Sequence, residues 1–220
     1  MPIRALMAVV VVLGLAAPAA AQYPMRSEDE PPALSFRPFL LASLEQFAAR
    51  RTFDAALGGR RHPLWGGGVE VVLHGDIFID VTASRFQKTG QRGFLTDTAF
   101  YPFGIPLSVT MTPLEVAGGY RFRHAARRIV PYIGAGVGTY QYREESPAPY
   151  SEPRENVDTR HSGFLLLGGA DLRLHRWIGM AIDAQYTRVP GILGRDGLSQ
   201  SAGEDDLGGT SIRLRLLVGR

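Results

Sequence analysis

Apolar and polar residues alternate along most of the chain, and the alternation can be followed segment by segment. Val69, Val71 and Leu73 share one face while Glu70 and His74 take the other, and Ile77, Ile79, Val81 and Ala83 oppose Asp80, Thr82 and Ser84. Over 163–174, Phe164, Leu166, Ala170, Leu172 and Leu174 oppose Asp171 and Arg173, with Gly163 and Gly169 on the polar side. Ile178, Met180, Ile182, Ala184 and Tyr186 then oppose Asp183 and Gln185, and Ile212, Leu214, Leu216 and Val218 oppose Ser211, Arg213 and Arg215. Successive side chains of a strand point to opposite faces, so each segment predicts a strand with one oily face and one charged or small face. The segment 105–122 is less regular. It keeps Leu107, Val109 and Met111 in one phase and switches to Leu114, Val116, Tyr120 and Phe122 across Thr112-Pro113, where a bulge would restore the phase. Residues 36–47 also fit an amphipathic helix through Leu40, Leu41, Leu44 and Phe47. A strand is preferred there because an even strand count closes a barrel.

The connections carry a second pattern. Short ones (74–76, 123–128 and 175–176) alternate with long ones (48–66, 90–104, 144–160 and 190–208), and residues 52–57 read as a short helical turn over one mouth. Strict alternation of tight turns and long loops is expected of a bacterial outer-membrane barrel. The fold class predicted is all-β: an eight-stranded antiparallel up-and-down transmembrane β-barrel.

Alternation alone does not say which face is outside, since a soluble carrier barrel would bury the oily face around a ligand. The stretch PYIGAGVG at 131–138 bears on the choice. Eight strands leave an interior just wide enough for side chains, and Gly119, Gly134, Gly136, Gly138, Gly169 and Gly179 would suit that cramped face. Ile133, Ala135 and Val137 would then meet lipid. Charges of both signs share the small face: Glu45, Glu70, Asp80, Glu115, Asp171 and Asp183 against Arg121, Arg173, Arg213 and Arg215. Enclosed together they form a network plugging the lumen, because an unpaired buried charge costs several kcal/mol. Aromatics are expected in two interfacial girdles, with Phe122, Tyr132 and Trp177 at the short-turn end and Tyr140, Tyr142, Phe164 and Tyr186 toward the long loops.

The ends and the composition point to export, to the periplasm, the outer membrane or the medium. Arg4, the apolar run 5–17 and Ala19-Ala20-Ala21 before Gln22 read as a signal peptide over 1–21. Residues 22–35, rich in Pro, Ser, Glu and Asp, read as a disordered leader before a barrel domain over 36–220. With no cysteine, an exported chain holds together without disulfides and has no thiolate metal site. A net charge of +3 with scattered arginines argues against nucleic acid.

The signal, the PYIGAGVG strand preceded by Gly118-Gly119-Tyr120-Arg121-Phe122, and the hairpin plan resemble the small outer-membrane β-barrel domain family of Gram-negative bacteria, which includes the OmpA membrane domain and OmpW-like proteins. WGGGVEVV at 65–72, VTASRFQKTGQR at 81–92, ENVDTRHSG at 155–163 and DAQYTRVPGILG at 183–194 look like an uncharacterised set of such barrels. The resemblance implies a place in the cell outer membrane and insertion by the barrel assembly machinery, and the expected state is a monomer.

Chemistry is sparse. His161-Ser162 loosely resembles the His and Ser of lipid A deacylases, with Asp158 nearby, but strand neighbours point apart. No catalytic, cofactor or metal residue is assigned. Arg50, Arg51, Arg60, Arg61, Lys88 and Arg92 are candidate lipopolysaccharide contacts through charge-assisted hydrogen bonds, and Asp196, Glu204, Asp205 and Asp206 form an acidic loop that could attract a cation. The expected role is structural or surface-interacting, with a narrow channel for small or apolar solutes and a lipid-modifying enzyme as the alternatives.

Overall fold

The computed structural model describes residues 33–95, 100–123, 128–146, 157–175, 177–193 and 203–219. The expected signal segment, most of the leader and Asp196 lie outside them. Eight strands follow one another around a closed barrel: β1 (Leu34–Phe47), β2 (Arg61–Leu73), β3 (Ile77–Leu95), β4 (Phe100–Arg121), β5 (Ile129–Glu145), β6 (Val157–His175), β7 (Ile178–Arg188) and β8 (Gly209–Val218). Each is antiparallel to its neighbours, and β8 closes against β1. One helix, α1 (Arg50–Leu57), stands between β1 and β2.

Register sets the geometry. Passing from Leu73 to Ile77, Tyr120, Ile133, Gly168, Ala184, Ile212 and Leu44 in successive pairs returns to β2 at Pro63, from position 73 to position 63, a stagger of ten residues. Such a stagger tilts the strands and fixes the barrel diameter. Every residue on that path faces outward. Leu166, Ile182 and Leu214 are exposed whereas Asp171, Asp183 and Arg213 are buried, so the oily face is the outer one. β8 shows this along its full ten residues, alternately buried and exposed, close to the length a tilted strand needs to cross a bilayer. Among the described residues no helix is long and apolar enough to cross a membrane.

The apolar belt has sharp edges. Val81, Val116, Val137 and Phe164 are partners on adjacent strands and all are exposed; higher on the same face, Thr112, Gln141 and Arg160 pair in a polar row. Trp65, Phe164 and Tyr186 stand at the loop-side edge, with Phe164 and Tyr186 ring centroids 6.2 Å apart. Phe36, Tyr120, Phe122 and Trp177 stand at the turn-side edge. Aromatic rings favour these levels because one end of each can be wet while the other is apolar. Tyr132, Tyr140 and Tyr142, expected in the girdles, instead point inward and are buried. Their hydroxyls have polar partners there, which the outer face in lipid would not supply.

Above the belt, β3 to β6 continue as an extended sheet, so much of what reads as long loop in 90–104 and 144–160 is strand. In this extension the apolar face changes sides. Phe86, Leu107, Val109, Met111, Tyr140 and Tyr142 are buried inside, while Thr139, Arg143 and Arg160 are exposed outside. The phase switch in β4 is therefore continuous backbone: the register shows no shift at Thr112-Pro113, and the irregularities fall at Arg92/Gly93 and Arg173/His175. Leu114 and Val116 face out and Met111 faces in because the medium outside changes from hydrocarbon to water between them.

Candidate functional site: a charged lumen under a lid

The lumen network begins at the short-turn end. Arg37 on β1 and Arg121 on β4 bridge the same two carboxylates. Arg37 lies 2.9 Å from Glu70 and 2.6 Å from Asp171, and Arg121 lies 3.0 Å and 2.6 Å from them. β1, β2, β4 and β6 thus each supply one member of a closed ring, positioned by strand parity. Gly179 leaves room for it, since a Cβ there would stand 3.0 Å from Arg37 and 3.3 Å from Asp171.

Arg215 occupies the next level. It is 1% exposed, and its Nη1 lies 3.3 Å from Asp80 and 3.5 Å from Glu70, with Nε 3.1 Å from Asp183. Its Nη2 donates to the Tyr132 hydroxyl at 2.6 Å, and that hydroxyl donates to Asp183 at 2.7 Å. The guanidinium carbon also sits 5.3 Å from the Phe39 ring centroid and 5.2 Å from that of Tyr132, where a cation is attracted to the ring faces. Arg213 follows, donating from Nε to Asp183 at 2.5 Å and reaching Glu115 at 3.7 Å. Glu115 accepts from the Tyr140 hydroxyl at 2.7 Å and from Gln185 at 3.0 Å.

Glu45, Glu70, Asp80, Glu115, Arg121, Asp171, Asp183, Arg213 and Arg215 are all buried. Arg173, expected beside them, is exposed at the turn-side end, past the level where the lumen closes. Arg37 is the member that sequence reasoning missed. Its parity with Glu45 was the available signal, but Phe39, Leu41 and Phe47 share that face and blur the alternation. An apolar layer built on Phe78, Leu165, Leu167 and Leu217 fills the space between the charges.

Over the network lies a cavity of about 30 Å³, room for one or two waters, lined by Glu45, Glu115, Gln185 and Arg213 among others. The Oε1 of Gln185 and Nη2 of Arg213 have no protein partner, which fits water at that point. Above it the mouth is closed by an apolar core of Phe47, Phe53, Leu64, Phe86, Tyr140, Val189, Ile192 and Leu207. Phe47 and Phe53 stack at 4.1 Å. Phe53, Ala56 and Leu57 come from one face of α1, so the helix is a lid.

The acidic loop clamps that lid. No side chain at Ala49 caps α1. Instead Glu204 accepts from the Arg51 and Thr52 amides at 3.0 and 2.9 Å and from the Thr52 hydroxyl at 2.8 Å. A carboxylate at a helix N-terminus satisfies orphan donors and complements the helix dipole. Asp206 accepts from the Val189 and Gly208 amides at 2.8 and 2.9 Å, closing the base of the same segment. His62, above Trp65 and outside the belt, lies beside the lid, with Nε2 and the Gly59 carbonyl oxygen 2.5 Å apart. Burial holds its pKa below the ordinary 6.5, with Lys88's charge adding to the shift.

The remaining site residues scatter. Arg50 and Arg51 begin α1, and Arg60 lies 4.0 Å from Asp54. Lys88 and Arg92 belong to β3, on the inner face with Phe86, so neither is a loop residue. His161 lies on the inner face of β6 and the exposed Ser162 on the outer. Asp158 faces outward, 2.6 Å from Arg143, and its carboxyl is held below the usual range by Gln141 and Arg143. No nucleophile, base and orienting group converge there. Among the described residues no cluster of His, Cys, Asp and Glu could hold a metal.

The chain is an eight-stranded up-and-down barrel with an apolar outside. No family model matches it, and no curated protein does. Solved barrel structures align with it. It is similar to the outer membrane protein OprG from Pseudomonas aeruginosa, with TM-score 0.49 and 11% identity over 87% of this chain and 96% of that one. It is similar also to the N-terminal β-barrel domain of OprF from the same organism, with TM-score 0.45 and 11% identity over 84% and 97%. Ail, the attachment invasion locus protein of Yersinia pestis, aligns with TM-score 0.43 and 14% identity over 86% and 97%.

Proposed function

We propose that this chain is a monomeric outer-membrane protein, exported by residues 1–21 and inserted by the barrel assembly machinery, with a non-enzymatic structural or surface-interaction role. The observation that carries the reading is closure of the lumen at two levels. Arg37, Arg121, Arg213 and Arg215 are tied across the interior to carboxylates from several strands, and the apolar core beneath α1 fills the mouth above them. A pore needs a continuous hydrated path, and each of these layers interrupts one. Its outward contacts are with outer-membrane lipid and lipopolysaccharide.

Purified protein in planar bilayers tests the sealed lumen. Silence from a protein with heat-modifiable gel mobility is the expected result, and resolved conductance steps would replace the sealed barrel with a narrow channel. Cell fractionation tests the location, with recovery in the detergent-requiring outer-membrane fraction expected.

A further inference from the structure

We propose that Arg61, Trp65 and Arg85, at the loop-side edge of the belt on β2 and β3, bind the phosphorylated headgroup of an outer-leaflet glycolipid. The proposal deepens the membrane reading above and rests on it.

Outward residues climb β2 as Leu73, Val71, Val69, Gly67, Trp65, Pro63 and Arg61, and climb β3 as Ile77, Ile79, Val81, Ala83 and Arg85. Each series runs apolar and ends in arginine. Trp65 pairs in register with Arg85, which sets their Cβ atoms about 5 Å apart on the outer face. Arg61 stands two outward positions above Trp65 on the same strand. The indole therefore lies beside Arg85 and below Arg61, at the level where hydrocarbon gives way to headgroups.

Both arginines are held by amides and left free of carboxylates. Arg61 Nε donates to Gln46 Oε1 at 3.0 Å, and Arg85 Nη2 donates to Gln87 Oε1 at 3.1 Å. Neither forms a salt bridge among the described residues. Three other outward or loop arginines are committed: Arg60 to Asp54, Arg143 to Asp158 and Arg188 to Asp206. A neutral partner fixes a guanidinium without spending its charge, which leaves donors for a bidentate phosphate. Trp65 is 66% exposed, a large amphipathic surface suited to the sugar and upper acyl chain of the same lipid.

The test uses the full mature protein in a Trp177→Phe background, inserted in phosphatidylcholine vesicles and titrated with bisphosphorylated lipid A while Trp65 emission is read. Saturable change is expected, and none with dephosphorylated lipid A. Arg61→Gln or Arg85→Gln should each weaken binding roughly fivefold and the pair roughly thirtyfold, from about 1 kcal/mol per basic residue near an anionic surface. The Arg123→Gln/Arg128→Gln control removes equal charge at the short-turn end, away from the patch, and should bind as the parent does. Equal binding by the Arg61/Arg85 double variant, equal weakening by the control, or equal response to dephosphorylated lipid would each overturn the site. Absence of heat-modifiable mobility in plain phosphatidylcholine would instead refute the membrane reading, and the headgroup site with it.

Discussion

Arg215→Met is the sharpest perturbation of the lumen because the structure says which acid it strands. Glu70 would keep Arg37 and Arg121, and Asp183 would keep Arg213 and the Tyr132 hydroxyl. Asp80, 1% exposed, has Arg215 as its one ion-pair partner among the described residues. Breaking a buried pair by removing one member costs about 3–5 kcal/mol, chiefly through the charge left behind. Asp80→Asn should cost about 1 kcal/mol, since Arg215 retains Glu70 and Asp183. The double variant should then be more stable than Arg215→Met alone, recovering about 2–3 kcal/mol in a double-mutant cycle. Urea unfolding in phospholipid vesicles, followed by loss of heat-modifiable mobility, measures all four proteins. If Asp80→Asn fails to rescue Arg215→Met, or Arg215→Met unfolds at the parent's midpoint, the lumen is not organised by this pairing.

Glu204→Gln should weaken the lid by about 1–2 kcal/mol, the usual cost of losing a helix cap, and show as faster tryptic cleavage at Arg50 and Arg51 with barrel unfolding unchanged. Glu45→Gln should be neutral or stabilising in the same urea assay, because Glu45 is buried yet forms no salt bridge among the described residues. The pKa of His62 is lower folded than unfolded, so its contribution is fully present above about pH 6.5 and declines as pH falls below that. Lid protection from protease should fall in step, and His62→Asn should flatten that dependence.

The strands, their count and their outer face were legible because alternation survives wherever one medium lies outside. Ile212 and Leu214 were placed outward by the small and charged residues on the opposite face, and both are exposed. Arg37 and the three tyrosines were not legible, for a common reason. An inward position in so narrow a lumen accepts either an ion with partners or a large ring that packs, so Phe39, Phe78, Tyr132 and Arg37 all occupy one kind of site. Residue type cannot identify that face; register can. The role of Glu204 was hidden too, since a cap supplied from 153 positions away leaves no local capping pattern.

The reversal of the apolar face also explains why the lid exists. Once β3 to β6 rise above the hydrocarbon, their outer face must be polar, and Thr139, Gln141 and Arg143 supply it. Strand parity then forces the apolar residues inward, where Phe86, Val109, Met111 and Tyr142 would line a wet mouth if nothing covered them. α1 and the segment after β7 bring Phe53, Leu57, Val189 and Leu193 onto that surface. Burying each such side chain contributes about 1.5–3 kcal/mol, so opening the mouth would expose several at once. A channel through this barrel would therefore have to pass a soluble-type core held by Glu204 before it met the arginines, and that order of obstacles is the strongest physical case for a sealed barrel.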